Sequence, residues 1–190
     1  MKNIAIMASG SGTNAENIIR FFRTKSDIEV KVVLTNRSDA YVIKRAGKLH
    51  VETVIFNREE LYESEEIHDL LKKRRIDLIV LAGFLWLIPK SLIDIYKNRI
   101  INIHPALLPK YGGKGMYGNR VHEAVLQSKD KESGITIHFV NEKYDAGDII
   151  FQAKCGIDPA ETPESLAEKI HKLEYKYYPE VIERLLEGFK

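Results

Sequence analysis

The sequence predicts an α/β fold, with an open, mostly parallel twisted sheet and helices on both faces. Short apolar runs alternate along the chain with segments of helical period, as expected for strands joined by helical crossovers. The runs 30–34 and 78–82 are rich in β-branched residues and leucine, as strands buried on both faces should be. A glycine-rich turn, 9–12, follows the first run directly, which is typical of a strand leading into a helix.

The N-terminal half contains strands and helices in strict alternation. We predict strands near 2–8, 29–35, 51–56, 77–82 and 99–103. We predict helices near 14–23, 39–48, 60–75 and 90–97. Because ligands of such sheets bind at the carboxyl ends of the strands, we expect any site to lie at that edge.

The second half of the chain has a different pattern of predicted elements. A glycine-rich loop, 112–118, precedes a short predicted helix at 119–128, and two further runs, 134–140 and 149–154, read as an antiparallel extension of the sheet. The last predicted helix begins after the N-cap Thr162, with Pro163 as its first residue, and ends near 186. Earlier in the chain, the bond between Leu108 and Pro109 is a candidate cis peptide bond.

Composition favours one domain over residues 1–190. The chain is 44% hydrophobic and 29% charged, and its net charge of +2 argues against a surface for nucleic acid or a membrane. The single cysteine, Cys155, excludes an internal disulfide framework and is read as a buried strand residue rather than a nucleophile. No apolar run is long enough to span a bilayer, so we expect a cytoplasmic protein.

The first turn predicts an anion site. Gly10, Gly12 and Ala15 fit a relaxed dinucleotide fingerprint, and Gly12, Thr13 and Asn14 would offer N–H groups to a phosphate. The alternative is a tight turn in which Thr13 or Asn14 only caps the helix. The second strand ends in Thr35-Asn36-Arg37 and lacks the acidic residue that binds a ribose, so a phosphomonoester fits better than a dinucleotide, with NADP as the weaker alternative through Arg37.

Three side chains on two loops suggest a catalytic site. Asn102 and His104 are two residues apart at the end of a predicted strand and therefore share one face, and Asp145 lies in a polar loop expected at the same edge. An amide, an imidazole and a carboxylate can together polarise a carbonyl, hold an oxyanion and move a proton. Each residue alone could be structural, but their joint placement favours a site.

The remaining candidates narrow the chemistry. His138 either supports Asp145 or simply packs within its strand. The histidines have no metal-binding spacing and no CxxC pair exists, so we expect no metal. No serine lies in a nucleophile elbow, and the attacking nucleophile is therefore expected to belong to a substrate.

The motifs together resemble the folate-dependent formyltransferases. The resemblance depends on Asn102-Ile103-His104-Pro105-Ala106-Leu107-Leu108-Pro109-Lys110-Tyr111, on His138-Phe139-Val140 and on Asp145-Ala146-Gly147. Ser9-Gly10-Ser11-Gly12-Thr13-Asn14 and Leu81-Ala82-Gly83-Phe84 extend it over essentially the whole chain. It implies a Rossmann-like formyltransferase fold, 10-formyltetrahydrofolate as donor, and the glycine amine of glycinamide ribonucleotide as acceptor in de novo purine biosynthesis.

The resemblance also implies roles for individual residues. Asn102 would donate to the oxyanion, protonated His104 would stabilise it and pass a proton to the leaving nitrogen, and Asp145 would raise the pKa of His104. The matching substrate-binding residues are Gly12, Thr13, Asn14 and Glu174. The matching folate-binding residues are Arg58, Leu85, Trp86, Leu87, Ile88 and Asn102, with the loop 141–145. The half 1–100 would then bind the phosphate, and the half 101–190 would supply catalysis and folate contacts.

Two departures and three alternatives accompany the resemblance. Trp86 stands where many members have arginine, so its ring would pack on the pterin or fill the core, and the loop 112–119 is longer than the commoner form.

A formyltetrahydrofolate hydrolase usually has a further regulatory domain ahead of this unit. A methionyl-tRNA formyltransferase has an RNA-binding domain and a basic surface. A non-catalytic nucleotide-binding module would not need intact Asn102, His104 and Asp145. The oligomeric state is not predicted.

Overall fold

A computed structural model describes residues 1–188, which form a seven-stranded sheet covered by helices. The strands β1 to β7 are Lys2–Met7, Ile28–Thr35, Glu52–Ile55, Leu78–Leu81, Ile100–His104, Glu132–Phe139 and Ile149–Gly156. The helices α1 to α7 are Thr13–Phe22, Val42–Lys48, Arg58–Tyr62, Glu66–Lys73, Lys90–Ile95, Asn119–Gln127 and Pro163–Gly188.

The strand order is β3-β2-β1-β4-β5-β6-β7. Strands β1 to β5 pair in parallel, whereas β6 pairs antiparallel with both β5 and β7, so the predicted fold class and its antiparallel extension are confirmed. The order reverses between β1 and β4, and their connections leave in opposite directions. A crevice therefore opens at the carboxyl ends of these two strands.

The sheet separates two hydrophobic cores because alternate residues of each buried strand face opposite sides. In β1, Ile4 and Ile6 pack with α1, α2, α6 and α7, while Ala5 and Met7 pack with α3, α4 and α5. Cys155 lies in β7 as predicted, but it is only half-buried because β7 is the edge strand. Within residues 1–188, no helix combines the length and the apolar character needed to cross a membrane.

The prediction of one helix over 60–75 was wrong, because the structure has two helices there. The first begins at Arg58 with a capping box, in which Asn57 and Glu60 each satisfy the backbone N–H of the other. Leu61 and Ile67 are both buried in the same core, yet a separation of six residues puts them on different faces of one helix. A break at residues 63–65 lets both side chains reach the core.

The C-terminal helix begins as predicted. Pro163 is its first residue, and the Ser165 N–H donates to Thr162 Oγ1 at 3.2 Å. The helix continues to Gly188, slightly beyond the predicted end. It returns across the sheet to α1, and the buried Tyr178 hydroxyl donates to the carbonyl of Leu81 at the end of β4 over 2.8 Å. The peptide bond Leu108–Pro109 is cis, as expected.

Candidate active site

A cleft of about 630 Å³ opens at the carboxyl ends of β1, β4 and β5. Its walls come from the first turn, the loops after β4 and β5, the loop after β6, and one face of α7. The sequence-predicted residues that line it are Gly12, Thr13, Asn14, Leu85, Trp86, Leu87, Ile88, Asn102, His104, Asp145 and Glu174. The structure therefore brings every predicted site residue except Arg58 into one cavity wall.

One end of the cleft is the N-terminus of α1. Gly12 has a left-handed backbone, with φ of 73°, and a Cβ atom there would overlap the side chain of Val42. The first helical hydrogen bond of α1 joins the Glu16 N–H to the Gly12 carbonyl at 2.9 Å. The N–H groups of Thr13 and Asn14 precede that bond and therefore remain for an anion, which the helix dipole also favours.

Glu174 reaches this end of the cleft from α7. Its carboxylate is only 6% exposed, and it accepts a hydrogen bond from Asn14 Nδ2 at 2.9 Å. Burial raises the pKa of Glu174 to about 7, although the Asn14 hydrogen bond opposes this. Asn14 Oδ1 is buried and has no hydrogen-bond partner among residues 1–188. The pair thus presents one unsatisfied acceptor and one carboxylate to a ligand that can donate hydrogen bonds.

Asp145 is the centre of a polar cluster that also contains Asn102, His104 and His138. Its Oδ2 lies 3.4 Å from His104 Nδ1 and accepts from the Gly113 N–H at 2.9 Å, while its Oδ1 lies 3.6 Å from His138 Nε2. Burial opposes the charged form, but the facing imidazoles of His138 and His104 and the Gly113 N–H outweigh it and lower the pKa of Asp145. The carboxylate is therefore ionised at neutral pH.

His104 is held between two acceptors. Its Nε2 lies 2.7 Å from the Tyr111 carbonyl, and because a carbonyl only accepts, Nε2 bears a hydrogen. Nδ1 then faces Asp145. Burial lowers the pKa of His104 more than Asp145 and Tyr111 raise it. The predicted direction of the Asp145 contribution is found, but the net pKa lies below the usual value because the imidazole is only 3% exposed.

Asn102 lies beside both carboxylate and imidazole. The β5–β6 register pairs Asn102 with His138, so their side chains share one face of the sheet. Asn102 Nδ2 lies 3.3 Å from His138 Nε2 and 3.4 Å from Asp145 Oδ1. Both distances are long for hydrogen bonds, so the amide can turn toward a ligand oxygen at small cost. His138 therefore contacts the cluster and is more than a packed strand residue.

Two glycines bring the Asp145 loop against the sheet. A Cβ atom at Gly147 would overlap the carbonyl oxygen of Phe139, so only glycine allows the loop this close to β6. That same carbonyl accepts from His138 Nδ1 at 2.8 Å. Gly112 lies under Asp145, and an added Cβ would come within 3.1 Å of the Asp145 Cβ. The geometry of the carboxylate thus depends on residues that have no polar side chain.

The other end of the cleft is apolar. Leu85, Trp86, Leu87 and Ile88 form this wall in the loop after β4. The Leu85 N–H donates to Ser9 Oγ at 3.0 Å, which ties the wall to the first turn. Arg58 does not line the cavity, but its guanidinium carbon lies 4.9 Å from the ring centroid of Trp86, which does.

Several groups that line the cleft or hold its residues could not be predicted from the sequence. The Tyr111 carbonyl and the Gly113 N–H hold His104 and Asp145, but backbone groups have no residue signature. His122 and His171 line the cleft near the first turn, and no shared spacing marked them. Burial lowers the pKa of His122 to about 4. In the part of the chain that the structure describes, no group of three or more His, Cys, Asp or Glu could hold a metal ion.

The chain is similar to known proteins over nearly its whole length. The family model described as formyl transferase matches residues 2–182. A phosphoribosylglycinamide formyltransferase of Haemophilus influenzae is 37% identical over 99% of this chain and 89% of its own. The chloroplastic enzyme of that name from Arabidopsis thaliana is 39% identical over 98% of this chain, which spans just under two thirds (66%) of that relative's length.

A solved structure resembles the fold over its full extent. Glycinamide ribonucleotide transformylase 1 from Geobacillus kaustophilus superposes with a TM-score of 0.86 at 37% identity, covering 98% of this chain and 99% of that one. Sequence and structure therefore agree over nearly the whole length of both. The chain belongs to the formyl transferase family, in the group of phosphoribosylglycinamide formyltransferases.

Proposed function

We propose that this enzyme transfers the formyl group of 10-formyltetrahydrofolate to the glycine amine of glycinamide ribonucleotide, giving formylglycinamide ribonucleotide and tetrahydrofolate. One observation supports this most strongly: a single cleft joins a helix N-terminus, the Asn102–His104–Asp145 cluster and an apolar wall. An acceptor with a phosphate and a donor with a flat apolar ring system require these three regions in one cavity.

In this proposal the substrate phosphate binds the N–H groups of Gly12, Thr13 and Asn14. The ribose hydroxyls donate to Glu174, whose buried carboxylate and partner Asn14 offer acceptors at that end. The amine then points toward the catalytic cluster. The donor ring lies along Leu85, Trp86, Leu87 and Ile88 and the loop 141–145, near Asn102, with its tail at Arg58.

The reaction begins when the neutral amine attacks the formyl carbon. A C–N bond forms, and the electron pair of the formyl C=O moves onto oxygen, where the Asn102 amide donates to it. The attacking nitrogen gives one proton to the His104–Asp145 pair at Nδ1. The oxyanion then re-forms the C=O bond as the bond from carbon to the donor's N10 breaks, and the pair returns the proton to that nitrogen. The protein ends the cycle unchanged because the amine loses one proton and N10 gains one.

The charge of His104 changes during this sequence. Its lowered pKa keeps the ring neutral in the free enzyme at neutral pH. The oxyanion adds a negative charge near the ring, which stabilises the imidazolium, and Asp145, 3.4 Å from Nδ1, stabilises it as well. His104 is therefore neutral in the free enzyme and charged beside the tetrahedral intermediate.

The proposal is tested by following tetrahydrofolate formation with and without glycinamide ribonucleotide. Turnover that requires the amine supports it, and equal turnover without the amine would instead identify a hydrolase. A second comparison uses the unphosphorylated glycinamide riboside in calorimetry. We expect the riboside to bind far more weakly, and equal affinities would remove the role of the first turn.

We further propose that the reaction takes place in the cytoplasm, supported by the single cysteine of the sequence and the absence of any helix within residues 1–188 able to cross a membrane.

The NADP alternative loses support because Asp39 accepts from Arg37 Nε at 3.0 Å and from its Nη2 at 2.7 Å. Nucleic acid and metal have no place in this mechanism.

A further inference from the structure

Trp86 is held in one orientation on the apolar wall. Its ring packs edge-on against Phe56 and Phe84, with centroid distances of 6.1 and 6.3 Å, and lies 6.3 Å from the ring of Tyr62. The Tyr62 hydroxyl in turn donates to the Leu87 carbonyl at 2.7 Å. The three neighbouring rings and the fixed Leu87 backbone therefore orient the indole of a residue that lines the cleft.

Arg58 lies over the ring of Trp86. It is the first residue of α3, where the Asn57–Glu60 capping box fixes its backbone. Its guanidinium carbon lies 4.9 Å from the Trp86 ring centroid. Among residues 1–188 no carboxylate forms an ion pair with it, whereas Arg74 pairs with Glu52 and Arg37 with Asp39. Arg58 is thus an exposed cation beside a residue that lines the cleft, with its charge available to a ligand.

We propose that Trp86 positions Arg58 to bind a carboxylate on the tail of the donor, and so sets the preference for donors with an anionic tail. This inference rests on the proposed function. A guanidinium that stacks by its face keeps its N–H edge free for a two-pronged carboxylate contact. The ring also restricts a side chain that is otherwise flexible, so less freedom is lost when the carboxylate binds.

Two other roles for Trp86 make different predictions. If the ring contacted the donor's pterin directly, its loss would weaken every donor equally. If it only filled the core, its loss would destabilise the fold without any preference among donors. The positioning role alone predicts that the loss depends on the tail and requires Arg58.

The test compares two donors in steady-state kinetics: 10-formyltetrahydrofolate, and its analogue in which both glutamate carboxylates are primary amides, so that the tail is neutral. The measured quantity is the ratio of their kcat/KM values. We expect Trp86→Leu to reduce this preference roughly two- to fivefold. Trp86→Phe should retain part of it, because a smaller ring still stacks. In an Arg58→Met background, Trp86→Leu should cause no further reduction, because the cation it would position is gone.

A matched control is Tyr177→Leu. It removes another ring beside a cation, since Lys176 Nζ lies 4.7 Å from that centroid, but on a residue of α7 that does not line the cleft. The preference should stay at the wild-type value in this variant. Thermal unfolding of each variant separates stability from preference, and Trp86→Phe remains informative if Trp86→Leu fails to fold.

Fluorescence gives an independent measurement because Trp86 is the single tryptophan of the sequence. Arg58→Met should change its emission without any ligand, and an unchanged spectrum would overturn the stacked pair. Equal loss of activity with both donors in Trp86→Leu, or additive effects in the double variant, would overturn the positioning role. Failure of the wild type to formylate glycinamide ribonucleotide from either donor would refute the proposed function instead.

Discussion

Asn14 Nδ2 donates to the buried carboxylate of Glu174 across 2.9 Å, joining the first turn of the protein to its last helix. The two residues are 160 positions apart in the chain. Within residues 1–188 no cation pairs with this carboxylate, and burial raises its pKa to about 7. The contact therefore shapes the end of the cleft between α1 and α7 at a cost in stability that depends on pH.

Glu174→Gln should remove that pH dependence. The folded-state pKa of about 7 lies above the ordinary 4.5, so the folded protein binds the proton more tightly and the wild type loses stability as pH rises between these values. Relative to the variant, we expect the wild-type free energy of unfolding to fall by about 3 kcal/mol from pH 4 to pH 8. Urea unfolding across this range measures it, and parallel curves for the two proteins would contradict the prediction.

His104→Ala and Asp145→Asn should each reduce turnover by roughly 10²–10⁴-fold, because either change removes the pair that moves the proton. Binding of glycinamide ribonucleotide should persist, since its phosphate site lies at α1. Stopped assays measure turnover, and calorimetry measures binding of glycinamide ribonucleotide. Asp158→Asn is the matched control, because this exposed carboxylate pairs with Lys169 away from the cleft and its loss should leave turnover unchanged. Near-normal turnover in either variant would contradict the roles assigned to His104 and Asp145.

Gly12→Ala should destabilise the protein and weaken substrate binding together. The left-handed backbone and the overlap with Val42 each oppose a side chain, which we expect to cost about 2–4 kcal/mol in total. Chemical unfolding and calorimetry with the ribonucleotide provide the measurements. Gly10→Ala is the control, because open space surrounds an added Cβ there. Equal effects of the two substitutions would show that the tight approach of Val42 is irrelevant.

Gly147→Ala should displace the Asp145 loop, because its Cβ would overlap the Phe139 carbonyl. We expect a stability loss of roughly 1–3 kcal/mol and a fall in turnover that approaches that of Asp145→Asn. Gly156→Ala in β7 meets nothing within 4 Å and serves as the control. Stability loss without any loss of turnover per folded molecule would mean that the loop does not position the carboxylate.

Much of the fold could be predicted from residue patterns, because buried parallel strands such as β4 are uniformly apolar and crossover helices are periodic. The shared face of Asn102 and His104 also followed from strand geometry. The break between α3 and α4 could not be predicted, since it depends on which core Leu61 and Ile67 must both reach. The net pKa of His104 was equally hidden, because burial depends on the packed structure and not on the neighbouring sequence.

The roles of Tyr111 and Gly113 could not be predicted for a different reason. Both act through backbone atoms, and every non-proline residue has such a carbonyl and N–H, so the residue type does not mark the role. The sequence marks such groups only indirectly, through the glycines that let the loop approach. Arg58 was predicted from the resemblance alone, and its stacking on Trp86 became visible only with side chains in place.

The return of α7 to α1 has a consequence for biosynthesis. Asn14 leaves the ribosome 160 residues before its partner Glu174, an interval of roughly 10–30 s at ordinary rates of translation. During that time β1, β2 and α1 have left the ribosome, but the nascent chain has neither Glu174 nor the Tyr178 hydroxyl that donates to the end of β4. The ligand pocket is therefore among the last parts of the protein to become competent, and a stalled chain would be released without it.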